Sequence, residues 1–117
     1  MPRRPLLNSA FTITATLGLF ALCAPSFASG TDITEIRYQN HQFMPQTLTV
    51  QAGQPLSIRV INASNETIEF ESFKLNREKA VSPGESITVG LPALGVGNYD
   101  FYDDFHQDVP EGSIVAR

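Results

Sequence analysis

The stretch Leu56-Ser57-Ile58-Arg59-Val60-Ile61-Asn62, "LSIRVIN", sets the fold class. Leu56, Ile58 and Val60 recur every second residue, while Ser57, Arg59 and Ile61 fall between them. Successive side chains of a strand point to opposite faces, so this is a strand with one packed face and one mostly wet face. It is preceded by the turn "AGQP" and followed by "NASN". Other short runs rich in Val, Ile, Phe, Tyr and Thr recur on either side, each bounded by Gly, Pro or Asn. Strands are expected near Ile33 to Tyr38, Thr47 to Gln51, Leu56 to Asn62, Thr67 to Phe73, Glu85 to Leu91, Asn98 to Asp103 and Ser113 to Ala116. Regular strand spacing without a sustained helical period describes an all-β sandwich or barrel.

The first 28 residues are of another kind. Arg3 and Arg4 precede an uncharged, largely apolar run from Ala10 to Cys23, and Ser26-Phe27-Ala28 offers small residues at the cleavage positions. This is the pattern of a secretory signal peptide, and the run is shorter than the roughly 20 apolar residues of a spanning helix. Leu22 is too bulky for the position before a lipidated cysteine. The expected organisation is a signal peptide over 1–28 and one domain over 29–117, exported to the periplasm without stable membrane insertion.

The only cysteine of the chain, Cys23, lies in the export segment, so the domain offers neither disulfides nor thiolate ligands. Eight basic residues become six once Arg3 and Arg4 are removed, against twelve acidic ones. With no basic run, nucleic acid and anionic lipid are poor partners. Acidic charge suits cations, but it also serves solubility alone.

The stretch Tyr99 to Asp108, "YDFYDDFHQD", gathers four aspartates around one of the two histidines. Strand alternation sets Tyr99, Phe101 and Asp103 on one face and Asp100, Tyr102 and Asp104 on the other. If Tyr99 and Phe101 enter the core, Asp103 leaves the same side, where a carboxylate is costly unless hydrogen-bonded, paired or bound to a metal. Asp103 and His106 are therefore the first candidates for a site. Glu69 and Glu71 bracket Phe70 and share a face. They are solvated if Ile68 and Phe70 are the core pair, and lie beside the His106 loop if the core runs through Glu71 and Phe73. Met44 offers a thioether and His41 an imidazole, both ligand types that copper accepts. Lys74, Arg77, Glu78 and Lys79 in "FKLNREK" are either partners of the site carboxylates or a charged surface turn.

In order, "FMPQTLTVQAGQPLSIRVIN", "IEFESF", "VSPGES" and "GNYDFYDDFHQDVPEGSIVAR" resemble the cupredoxin plan over nearly the whole domain. The resemblance implies a Greek-key β-sandwich. It sets Glu69 at the first histidine position, Asp103 at the cysteine position, His106 at the second histidine and Pro110 near the axial methionine. Three of the four blue-copper ligands are absent, so a copper-thiolate site is excluded. The pattern "EFES", "REK" and "DxxH" is similar to the cupredoxin-like domains of bacterial periplasmic ferrous-iron uptake systems. That resemblance implies copper held by Asp103 and His106, with Glu69, Glu71 and Met44 as further metal residues. It also implies Fe(II) as the substrate, oxidised to Fe(III) with Asp103 and His106 as the catalytic pair. An inner-membrane iron permease and other periplasmic iron-uptake components are the implied partners. A carrier that holds copper or iron without oxidising it uses the same residues, and a sandwich whose acidic loop only docks a partner needs none of them.

Overall fold

The computed structural model describes residues 2–3 and 33–117. The signal peptide expected over 1–28 and its boundary with the domain lie, apart from residues 2 and 3, outside the described residues. Among the described residues no helix is long and apolar enough to cross a membrane.

Among the described residues nine strands follow one another: β1 (Ile33–Gln39), β2 (Gln42–Met44), β3 (Thr47–Val50), β4 (Leu56–Asn62), β5 (Ile68–Ser72), β6 (Arg77–Val81), β7 (Ser86–Leu91), β8 (Gly97–Asp103) and β9 (Gly112–Ala116). They form a four-stranded sheet in the order β2-β1-β4-β7 and a five-stranded sheet in the order β3-β9-β8-β5-β6. The β1–β4 and β3–β9 pairs are parallel and the others antiparallel. The all-β sandwich is thus as expected, with two more strands than the sequence reading gave.

The alternation in β4 decides which face is inside. Ile58, Val60 and Asn62 are buried while Arg59 is exposed. Ile36 and Tyr38 of β1 join them from the neighbouring strand, and the facing sheet supplies Ile68, Phe70, Phe101 and Ile114. Aromatic rings knit the two sheets together. Phe43 meets Tyr38 at 5.1 Å and Phe101 at 5.1 Å, both edge-on, and Phe101 lies 5.3 Å from Phe70. Edge-on and tilted pairs are the arrangements that the ring quadrupole favours.

Gly112 at the start of β9 is required by this packing. A Cβ there would run into the Phe101 ring and come within 3.0 Å of the Gln46 carbonyl. At the other edge, Arg77 of β6 donates from Nε and Nη2 to the Gly90 carbonyl of β7 at 3.2 and 2.9 Å, joining the open edges of the two sheets.

Candidate metal centre at the His106 loop

The β8 strand alternates as its sequence indicates: Phe101 and Asp103 are fully buried, while Tyr102 and Asp104 point outward and are half-buried. A buried carboxylate needs partners for its lone pairs, and Asp103 has them. Its Oδ1 accepts from the Glu69 amide at 2.9 Å and the Phe105 amide at 3.1 Å. Its Oδ2 lies 2.6 Å from Nδ1 of His106. A carboxylate oxygen can only accept, so Nδ1 carries the hydrogen. The neutral imidazole then has its lone pair on Nε2.

Backbone turns fix the loop that carries this histidine. The His106 amide donates to the Asp103 carbonyl at 3.2 Å and the Val109 amide to the His106 carbonyl at 3.1 Å. The Asp104 amide donates to the Glu69 carbonyl at 3.0 Å, so β5 holds the loop from the side. The His106 side chain is 24% exposed, and its Nε2 faces Oε2 of Glu66 at 3.4 Å. The same Glu66 oxygen is 3.9 Å from Nε2 of His41. The two imidazole rings stand edge to face, 6.1 Å apart.

Two neighbouring loops bring these residues to His106. His41 lies in the two-residue turn between β1 and β2, where Asn40 and His41 both have positive φ, 53° and 54°. Such turns match the right-handed twist of the strands they join but are usually filled by Gly or Asn. Glu66 lies in the loop after β4, which Asn62 organises. The fully buried Asn62 amide donates to the Glu66 carbonyl at 2.7 Å and the Val81 carbonyl at 2.8 Å, while its Oδ1 accepts from the Ser64 amide at 3.0 Å and hydroxyl at 2.6 Å. A cleft of about 380 Å³ opens between these loops, lined on one wall by His41 and on the other by Ser64 and Glu66, with Tyr38 at its edge.

Beneath the loop, the buried Tyr38 hydroxyl has no hydrogen-bond partner among the described residues. Burial first, and then the negative charge of nearby Asp103, push its pKa up to about 12. The hydroxyl is close enough to feel that carboxylate without a hydrogen bond of good geometry to it.

The other candidates lie elsewhere. Ile68 and Phe70 are both fully buried, so they are the core pair of β5, and Phe73 is 83% exposed. Glu69 and Glu71 therefore project from the outer face, the first of the two arrangements that alternation left open. There they meet Glu78, which pairs with Glu71 across β6, along with Tyr102 and Asp104. Partial burial, followed by the hydrogen bond and charge of Glu78 and the charges of Asp104 and Glu71, raises the Glu69 carboxyl above its ordinary value. Partial burial and the Glu71 carboxylate raise Tyr102.

Met44 follows the buried Phe43 and so faces the opposite side of its strand, 41% exposed, away from the core side that Asp103 occupies. Lys74 binds the Asn98 carbonyl and Asp100, and Arg77 binds backbone carbonyls. Neither reaches the His106 loop, and Lys79 is exposed on β6. Among the described residues, no group of three or more His, Cys, Asp and Glu side chains is arranged, as it stands, so that it could hold a metal ion. Glu66 escaped the sequence reading because a loop has no periodicity to single it out; the available signal was Asn62, a polar residue at an inward strand position.

Comparison with known proteins agrees with this fold. The chain is 38% identical over 83 residues to an uncharacterized protein of Rickettsia prowazekii (strain Madrid E), matching 71% of this chain and 66% of that protein, so it spans just under two thirds of the relative. Among solved structures it is similar to auracyanin A, a "blue" copper protein of Chloroflexus aurantiacus, with a TM-score of 0.62 and 19% identity over 75% of this chain and 100% of that one. It is also similar to the metal-binding domain of the Cu(I)-exporting P-type ATPase of Streptococcus pneumoniae, solved with Cu(I), with a TM-score of 0.63 and 15% identity over 75% of this chain and 98% of that one. At these identities the structural likeness speaks for the fold. The model of the cupredoxin-like domain family matches residues 12–116, and the chain belongs to that family.

Proposed function

We propose that the protein is a periplasmic copper-binding cupredoxin-like protein that oxidises Fe(II) to Fe(III) for an inner-membrane iron permease. The observation that carries this reading is the Asp103–His106 pair: a fully buried carboxylate fixes Nδ1 and turns Nε2 to the partly exposed side of the loop, beside Glu66. Metal-ligating histidines are typically oriented in this way by a carboxylate behind them.

The donor chemistry fits copper of a non-blue kind. Imidazole and carboxylate suit Cu(II), and no thiolate is available anywhere in residues 29–117. His106 would hold the metal. Asp103, whose oxygens already serve two amides and the imidazole, keeps His106 in place and stabilises positive charge there. Copper bound at this position supplies one-electron acceptance from Fe(II).

The remaining chemistry belongs to the chain's own residues. Carboxylates stabilise Fe(III) over Fe(II), because the higher charge attracts anionic oxygen more strongly. Glu69, Glu71, Glu78 and Asp104 crowd the outer face of β5, β6 and β8, where desolvation first, and then the neighbouring carboxylates, raise the Glu69 carboxyl, and a cation would relieve the repulsion part. We assign iron to this face, with each Fe(II) giving up one electron.

A ferrous-depletion assay in air, with dioxygen as terminal acceptor, tests the reading against the carrier alternative. Copper-loaded protein is expected to consume many equivalents of Fe(II) per chain. Uptake that stops at one equivalent leaves only a carrier.

A further inference from the structure

His106 has two further donors beside it. Its Nε2, Oε2 of Glu66 and Nε2 of His41 come from three separate loops, and the Glu66 oxygen lies 3.4 and 3.9 Å from the two nitrogens. Two donors that each lie ~2.0–2.2 Å from a common ion stand about 3–4 Å apart. The observed separations fall in that range. The 6.1 Å between ring centroids likewise suits two imidazoles that share an ion through their outer nitrogens.

We propose that His41, Glu66 and His106 form a three-donor site for a divalent transition-metal ion of copper type, with Asp103 as a positioning residue behind His106. The inference rests on the copper role given to His106 and extends it by naming the two donors that complete the set. Each residue is prepared differently. His106 is locked by Asp103. Glu66 is carried on a loop whose backbone is pinned to buried Asn62. His41 occupies a left-handed turn position that Asn or Gly would fill more cheaply.

As described, Glu66 stands between the two imidazoles without a hydrogen bond to either, and the side chains of Glu66, 45% exposed, and His41, 61% exposed, are the ones with room to turn toward an ion. Two imidazoles and a carboxylate leave further positions open to solvent, as a site that exchanges electrons with an external substrate requires. The donor set binds Cu(II) in preference to neighbouring divalent ions.

The test is titration of the purified protein with Cu(II) by calorimetry, followed by electron paramagnetic resonance of the loaded protein. Wild type is expected to bind Cu(II) with two imidazole nitrogens coupled to the metal. His41→Asn keeps a residue that tolerates the turn, and Glu66→Gln keeps side-chain shape. Each should weaken affinity by at least the roughly 10–100-fold that loss of an outer partner already costs. His41→Asn should also reduce the coupled imidazoles to one; without copper it should melt at or above the wild-type temperature, and Glu66→Gln at it. Cu(II) binding that both variants retain with wild-type affinity, or loss in only one of them, overturns the three-donor site and leaves the copper role of His106 standing. Failure of wild type to bind Cu(II) removes both.

Discussion

Oδ2 of Asp103 and Nδ1 of His106 meet at 2.6 Å, joining the most deeply buried carboxylate of the sandwich to a ring at its surface. The pair lets a core strand determine the orientation of a loop side chain. Asp103→Asn keeps the shape but replaces the anionic acceptor, so Cu(II) affinity should fall about 10–100-fold with the fold intact. Asp103→Ala strands two amides and the imidazole, and should also cost stability, by about 1–3 kcal/mol for each buried donor left unpaired. Calorimetric titration and urea unfolding of the two variants separate these effects.

The copper-loaded protein should show only weak visible absorption. Intense blue colour comes from copper-thiolate charge transfer, and residues 29–117 contain no cysteine. A deep blue spectrum would contradict the ligand set.

Tyr38→Phe should stabilise the protein by about 1 kcal/mol, since it removes a buried hydroxyl without a partner. In a domain of this size that is a rise of about 4–8 °C in Tm. The variant also isolates a pH effect. The Tyr38 pKa rises from 10.0 to about 12 on folding, so the unfolded chain ionises first as the pH climbs. Between these values the wild type should lose stability that the Phe variant keeps.

Gly112→Ala should be destabilising by about 1–3 kcal/mol, because the added methyl collides with the Phe101 ring. Chemical denaturation measures the loss, and near-ultraviolet dichroism should report the displaced aromatic cluster.

Glu78→Gln should raise Tm at neutral pH and have little effect in acid. The Glu69 carboxyl has a folded-state pKa above its ordinary value, with Glu78 the leading neighbour. The folded state therefore binds the proton more tightly, and stability falls as the pH rises from the ordinary carboxylate value through the raised one. Removing the Glu78 charge reduces that fall. Equal pH profiles for the two proteins would refute the repulsion.

Much of the fold was legible because inward positions are apolar at every second residue, as in β4 and β8. The two strands that escaped notice fail that signal. β2 has three residues between a turn and Pro45, and β6 reads "REKAV" with Val81 alone buried. The inward position of Asp103 was legible for the same reason as the fold, being two residues from Phe101. The outward face of Glu69 and Glu71 was not settled by alternation, which labels two faces without saying which is inside. His41 and Glu66 depend on how three loops meet in space, and no local pattern carries that information.

Those three loops have a consequence for stability. The β1–β2 turn, the loop after β4 and the loop after β8 meet only when both sheets are complete, so no short fragment of the chain could hold the ion. Metal affinity is then linked to the folded state, and at a free concentration 100 times its dissociation constant an ion adds roughly 2.7 kcal/mol against unfolding. Part of the final stability would thus come from a metal that binds only after the chain has folded.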